Sequence, residues 1–321
     1  MPLLPDTYSP PLPLRVGPHG HLGTLWPVLV RRVTGFDHSC RHRLETADGD
    51  FIDVDGHPVG RSRAVLICHG LEGHSRRRYV LGMGKQFHLA GFDVWALNYR
   101  GCSGEPNRLP SSYHSGKTED LALVVNWLAP RYASLSLAGF SLGGNLILKY
   151  LGESREDRPA ALKSAVAISA PTDLGTCACR LERPENWLYQ RRFLDTLKEK
   201  AVAKSRAFPD LPSPERLARI RTLREFDDVY TGPVHGFGSA VNYYRQCSSR
   251  KFLPSIACPT LLLSAQDDPL LTRTCHPVEE AKRNPHLHLC LTQFGGHTGY
   301  YQAGDAYWSD QMAVDFIHQR S

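Results

Sequence analysis

Apolar positions along this chain fall into two alternating rhythms. Short continuous apolar runs recur at Ala64–Cys68, Phe92–Leu97, Ser134–Phe140, Ala165–Ser169, Thr260–Ser264 and His286–Leu291. Runs without a polar alternation belong to strands buried on both faces of a parallel sheet. Between them the spacing becomes helical. Tyr79, Met83, Phe87 and Ala90 stand at i, i+4, i+8 and i+11, which is one face of a helix. Leu121, Val124, Val125 and Leu128 predict a second, with Glu119 and Asp120 in its first turn, where the helix dipole favours anions. Arg41–Glu45 and Phe51–Val54 flank Asp48-Gly49, a hairpin signal. A helix near Pro277–Arg283 and a last one carrying Trp308, Met312 and Phe316 complete the pattern.

Strands alternating with helices predict an α/β architecture, a mostly parallel sheet with helices on both faces. The rhythm stops near Pro171. From there the segments are mainly helical and charged: Pro184–Lys204 around Trp187, Leu194 and Leu197, then Pro214–Glu225 around Leu217, Ile220 and Leu223. Both begin with proline, which suits the first helical position. We therefore expect a helical lid over about 171–255, inserted before the last two strands of one domain spanning 36–321. A separate helical domain is the alternative. Residues 1–35, with Pro, Gly and His throughout and one apolar patch at Leu25–Val30, read as an irregular N-terminal arm.

Composition narrows the class. The 321 residues are 41% hydrophobic and 22% charged, an ordinary globular balance. A net charge of +6, without a basic tail or zinc-finger spacing, argues against nucleic acid as a partner. Nine cysteines, scattered and odd in number, fit reduced thiols better than a disulfide framework or a zinc site. The proline-rich start lacks a signal-peptide pattern and no apolar run is long enough to span a membrane. A cytoplasmic location without membrane insertion is the expectation.

The chemistry centres on Gly139-Phe140-Ser141-Leu142-Gly143, placed between a strand run and the helix-compatible Leu146-Ile147-Leu148. Strand, tight glycine turn, helix is the setting of a nucleophile elbow. Serine needs an imidazole to take its proton and an acid to hold the imidazole. Two later strands end in suitable groups, Asp267-Asp268-Pro269 and Gly295-Gly296-His297, on the sheet edge where ligands bind in open α/β sheets. Neighbouring residues of an extended chain point to opposite sides, so one aspartate alone can serve. Pro269 biases Asp268 towards extended backbone, which favours Asp268. The candidate triad is Ser141, Asp268 and His297. The oxyanion donors expected are the backbone N–H groups of Leu142 and of Leu71, the latter in His69-Gly70-Leu71-Glu72-Gly73. His69 is expected to hold that loop.

Gly116-Lys117-Thr118 has Ser111 where a phosphate-binding loop needs its first glycine, and Gly82-Met83-Gly84 lacks the strand-turn setting of a dinucleotide site. No cofactor and no metal are assigned. The Arg76-Arg77-Arg78 run reads as a solvated turn, with an anion site as the sharper alternative.

Several stretches together resemble the YheT-like α/β-hydrolases: His69–Gly73, Asn98-Tyr99-Arg100-Gly101-Cys102-Ser103-Gly104-Glu105-Pro106-Asn107-Arg108, Tyr113-His114-Ser115-Gly116, the Ser141 elbow and Gly295-Gly296-His297. Phe226-Asp227-Asp228, Gly236-Phe237 with Tyr243–Ser248, and His21-Leu22-Gly23-Thr24-Leu25-Trp26-Pro27 share it. The resemblance runs from about residue 20 to the end. It implies an α/β-hydrolase fold, a triad carried onto Ser141, Asp268 and His297, and esterase or lipase-like action on short-chain esters or acylglycerols. Phospholipase or thioesterase chemistry with the same triad, or a non-catalytic binding role, are the alternatives. Gly23 stands where the family has Gln, Lys117 where it has Glu, and the three arginines replace a more neutral stretch.

Overall fold

The apolar runs build one nine-stranded sheet among the described residues, which in this computed structural model are 2–14, 19–153 and 158–320. The strands are β1 (Leu3–Leu4), β2 (Cys40–Glu45), β3 (Phe51–His57), β4 (Arg63–Cys68), β5 (Asp93–Asn98), β6 (Ser134–Phe140), β7 (Leu162–Ile168), β8 (Thr260–Ala265) and β9 (Leu287–Thr292). Their order is β1-β9-β8-β7-β6-β4-β5-β3-β2. Pairing is parallel from β1 to β5 and antiparallel where the β2–β3 hairpin adds to β5.

The flanking helices are α1 (His19–Val30), α2 (Arg78–Leu89), α3 (Thr118–Leu128), α4 (Leu142–Glu153), α5 (Leu174–Leu181) and α6 (Trp187–Ala207). The remainder are α7 (Pro214–Ala218), α8 (Leu223–Phe226), α9 (Gly232–Val234), α10 (Ala240–Cys247), α11 (Val278–Arg283) and α12 (Trp308–His318). Because side chains alternate along a strand, β4 divides its apolar residues between two cores. Ala64, Leu66 and Cys68 pack with Leu121, Val124 and Leu128 of α3 and Leu146 and Ile147 of α4. Val65 and Ile67 pack with Val80, Met83 and Phe87 of α2 and Ala313 and Ile317 of α12. Each of these fully buried leucine, isoleucine or phenylalanine side chains stabilises the fold by ~1.5–3 kcal/mol.

Between β7 and β8 the chain leaves the sheet for α5 to α10, which carry apolar clusters of their own around Leu194, Leu217, Ile220 and Phe226 and around Tyr243 and Tyr244. The helix expected over Pro214–Glu225 is broken in two. The Ser213 side chain accepts from Arg216 N–H and starts α7, while the Thr222 side chain accepts from Glu225 N–H and starts α8. A side-chain cap satisfies backbone donors that a continuous helix would bond internally, so two capped turns replace one helix.

The N-terminal stretch departs most from expectation. Residues 1 and 15–18 of the predicted arm lie outside the described residues, but the remainder is not wholly irregular. Leu3 and Leu4 pair in parallel with Leu289 and Cys290 of β9, and His19–Val30 is helical with Pro27 inside it. Gly20, Gly23 and Pro27 give α1 low intrinsic propensity. The helix exists because it docks: a Cβ at Gly20 would stand 1.7 Å from the Asp267 carbonyl oxygen. Arg31, just past its end, forms a buried ion pair with Asp310 of α12.

Candidate active site

Strand β6 delivers Ser141 and α4 starts at the next residue. Ser141 has φ +52°, in the left-handed region that a serine occupies only under constraint. Its neighbours must be glycine for lack of space. A Cβ at Gly139 would lie 2.6 Å from the Gly143 carbonyl, and one at Gly143 would lie 2.4 Å from the Cys68 carbonyl oxygen. The Ser141 N–H donates to the Ile168 carbonyl at 2.8 Å, and the Ser141 carbonyl accepts from Asn145 N–H at 3.0 Å.

The loop after β9 places His297 beside this turn. Its Nε2 lies 2.8 Å from Ser141 Oγ and its Nδ1 lies 2.8 Å from Asp268 Oδ2. With an acid on Nδ1, that nitrogen carries the proton and Nε2 accepts from the serine hydroxyl. Asp268 is buried, and its second oxygen accepts from the Leu270 and Leu271 N–H groups at 2.9 and 3.3 Å. Asp267 turns away from the imidazole and accepts from Gly296 N–H at 2.9 Å. The structure therefore joins Ser141, His297 and Asp268 in one chain of contacts and uses Asp267 to hold the glycine turn.

Thr24, on α1, belongs to the N-terminal stretch that shares the family resemblance, but no role at the site is read for it from the sequence. Its Oγ1 accepts from His297 N–H at 2.8 Å and its hydroxyl donates to the Gly20 carbonyl at 2.6 Å. Gly23, where the resemblance leads one to expect Gln, stands with its missing Cβ position 3.2 Å from Gly296 nitrogen. The helix thus lies directly against the histidine loop.

After β4, the loop from His69 to Gly73 is held from several sides. His69 is fully buried, donates from Nδ1 to the Gly70 carbonyl at 2.7 Å, and is pushed down to about 3 by burial, so it stays neutral. Gly70 N–H donates to Tyr79 hydroxyl, Glu72 N–H to Tyr113 hydroxyl, and Gly73 N–H to the Gly70 carbonyl. Leu71 N–H meets no acceptor among the described residues, nor does Leu142 N–H, the first of α4. A Cβ at Gly70 would be 3.3 Å from Ser141 Cβ, so the loop runs close beside the serine.

Ser141 and His297 open into a cavity of about 130 Å³. Leu71, Leu142 and residues of α5, α6, α8 and α10 line it. Of the apolar positions read around Pro184–Lys204, Trp187 is 57% exposed and Leu194 is buried in the helical segment's own core, both outside the lining, whereas Leu197, with Phe193, is inside it. Each arginine of the 76–78 run contacts the chain itself. Arg76 pairs with Asp37, Arg77 donates to the Glu72 carbonyl, and Arg78 donates to the Val28 and Leu29 carbonyls. Among the described residues no group of three or more His, Cys, Asp or Glu side chains has metal-holding geometry, and no helix is long and apolar enough to cross a membrane.

A family model described as alpha/beta hydrolase fold matches residues 63–303. YheT of Escherichia coli is 37% identical over 297 residues, which is 90% of this chain and 86% of that protein. Phospholipase ABHD3 of Mus musculus is 33% identical over 81% of this chain and 66% of its own length. Monoacylglycerol lipase of Saccharomyces cerevisiae is 34% identical over 74% of this chain and 55% of its own length. Among solved structures, Pyrococcus furiosus esterase Pf2001 superposes with a TM-score of 0.60 over 92% of this chain and 96% of that one, at 17% identity, a likeness of fold. The parallel sheet with its antiparallel edge hairpin, the strand–Ser141–helix turn and these relatives agree: the chain belongs to the alpha/beta-hydrolase fold family, as a YheT-like member.

Proposed function

We propose that this protein is a serine hydrolase of carboxylic esters, short-chain esters or acylglycerols, acting through an acyl-enzyme. The observation that carries the reading is the unbroken chain Asp268–His297–Ser141, with both links at 2.8 Å, facing an apolar cavity. In the proposed mechanism His297 Nε2 takes the Ser141 proton as Oγ attacks the ester carbonyl. Asp268 stabilises the resulting imidazolium and fixes its tautomer. The oxyanion receives hydrogen bonds from the Leu71 and Leu142 amides, which have no other acceptor among the described residues; each such donor is worth ~10²–10³ in rate. Collapse expels the alcohol, protonated by His297, and water then attacks the acyl-enzyme by the reverse route. The helices between β7 and β8 act as a lid whose apolar side chains receive the acyl chain. YheT, ABHD3 and the yeast monoacylglycerol lipase, relatives with ester-cleaving names among them, support this chemistry.

Replacing Ser141→Ala is expected to lower hydrolysis of a short p-nitrophenyl ester by ~10⁶ and to abolish labelling by a fluorophosphonate probe. Activity retained within tenfold of the parent protein would overturn the assignment.

A further inference from the structure

Two of the nine cysteines, none of them in a disulfide, meet beside the active site. Cys177 sits on α5, in the helices between β7 and β8, and Cys275 in the segment that follows Asp268. Their sulfurs are 3.3 Å apart and both side chains are buried. The two segments are docked on each other around this pair. Thr176 Oγ1 lies 2.7 Å from Thr272 Oγ1 and 2.8 Å from Thr274 Oγ1, and Arg180 Nε donates to the Pro269 carbonyl at 3.1 Å. The sulfur contact is thus fixed by its neighbours.

The pair also has a route to reagents. Cys177 lines the cavity that opens from Ser141 and His297, whereas Cys275 is fully buried and outside the lining. A space of about 130 Å³ admits a molecule somewhat larger than water. Cys177 S–H donates to the Cys275 sulfur and holds that thiol below its ordinary value, while Cys177 itself is raised well above its own. The two together therefore give up one proton more readily than an isolated buried thiol, and thiolate is the reactive form.

We propose that Cys177 and Cys275 form a redox-active dithiol, closed to a disulfide by a small hydroperoxide that enters through the active-site cavity, and that the closed form turns over ester more slowly. The Cys177 sulfur, its proton passed to Cys275, attacks one peroxide oxygen. The O–O bond breaks, the departing hydroxide takes a proton from solvent and leaves as water, and Cys177 becomes a sulfenic acid. Cys275 sulfur then attacks Cys177 sulfur; the S–O bond breaks, and the hydroxide takes the Cys275 proton and leaves as a second water. The two thiols lose two electrons in all and the peroxide gains them. A thiol reductant reverses the change by two exchange steps and itself ends as a disulfide. Where disulfides occur in reducing compartments, such transient use is their usual role.

The effect on turnover follows from Leu271, which packs on both sulfurs while its N–H donates to Asp268 at 3.3 Å. A disulfide needs its sulfurs at ~2.05 Å, so closing it draws these groups together by about 1 Å. A displacement of ~1 Å in supporting structure costs up to about 10²-fold in rate. The dithiol chemistry stands apart from the ester-hydrolase reading above; the turnover readout rests on it.

The test treats the protein with hydrogen peroxide, blocks remaining thiols with N-ethylmaleimide and reads the digest by mass spectrometry, beside kcat on a short p-nitrophenyl ester. A linked Cys177–Cys275 peptide pair should appear and kcat should fall about 10- to 100-fold, both reversed by dithiothreitol. Cys179→Ser removes the exposed thiol two positions away and should leave both results standing. Cys177→Ala and Cys275→Ala should each keep kcat within twofold of their own untreated preparation, a ratio in which loss of folded protein cancels. Absence of the linked pair overturns the proposal. So does an equal loss of turnover in both alanine variants, or a linked pair with kcat unchanged. Turnover that survives Ser141→Ala while the linked pair still forms refutes the hydrolase reading and leaves the dithiol itself in place.

Discussion

Asp268 gives one oxygen to His297 and the other to two backbone N–H groups, while its neighbour Asp267 accepts from Gly296 N–H and supports the turn that carries the histidine. The two carboxylates leave a turn just past β8, closed by Asp268 N–H on the Ala265 carbonyl at 3.3 Å, and each reaches a different partner. Asp268→Asn should cost ~10⁴ in kcat, because a carboxamide no longer fixes the productive imidazole tautomer. Asp267→Asn should cost far less, its amide oxygen still able to accept from Gly296. Steady-state kinetics of the two variants on one ester decide the matter, and the opposite ranking would move the acid's role to Asp267. Residues at strand ends were legible in the chain, because glycine turns after apolar runs leave a sequence trace. Thr24 was not: it meets His297 across 273 positions and sits in a segment with no periodic pattern.

At the scale of elements, α6 reaches the loop after β4 through a single charge. Lys200 Nζ stands 2.8 Å from Glu72 Oε2, and the other oxygen of Glu72 accepts from Tyr113 hydroxyl at 2.6 Å. Glu72 is buried at φ +53°, directly after Leu71, so the backbone there is held in an unfavourable conformation by these partners. Burial acts to lower the Lys200 ammonium, but Cys102 and Glu72 outweigh it and the group stays charged. Lys200→Met should lower kcat roughly tenfold with KM little changed, a fraction of what losing a whole oxyanion donor costs. Lys200→Arg should restore most of the loss. A drop in melting temperature with kcat intact would show instead that the pair is purely structural. The sequence showed this excursion as helical and charged but not where its helices break, because the caps at Ser213 and Thr222 compete with an apolar spacing that runs on through them. Nor did it show which face Trp187 presents, since spacing alone does not tell a packed stripe from an exposed one.

Over the whole molecule, the two ends of the described chain are bound to each other. Leu3 and Leu4 extend the sheet beside β9, and Arg31 meets Asp310 where both are almost fully buried, the guanidinium lying 4.1 Å from the Tyr307 ring centre. Breaking a buried pair leaves a charge without compensation, so Arg31→Met should destabilise the protein by ~3–5 kcal/mol in urea titrations. Arg76→Met, which breaks a pair exposed on both sides, should cost no more than ~1 kcal/mol. Equal effects would show that burial does not set the difference. The βα order from β4 to β9 was readable because buried parallel strands need continuous apolar runs, whereas the two-residue β1 is too short to leave one. The docking of α1 was not, since its glycines and proline argue against a helix and only its partner surface makes one.

That docking has a consequence for how the protein comes into being. Arg31 and Asp310 are 279 positions apart, so at 5–20 residues per second the first segment waits roughly 15–60 s on the ribosome for the surface it folds against. A short helix of such composition has no stability alone, and α1 stays unformed through that interval. Ser141 emerges with its elbow complete once β7 is made, while His297 and the docking of α1 against its loop come later. On the proposed mechanism, the growing chain therefore carries the nucleophile 156 positions ahead of its base, and no triad can assemble before His297 is made.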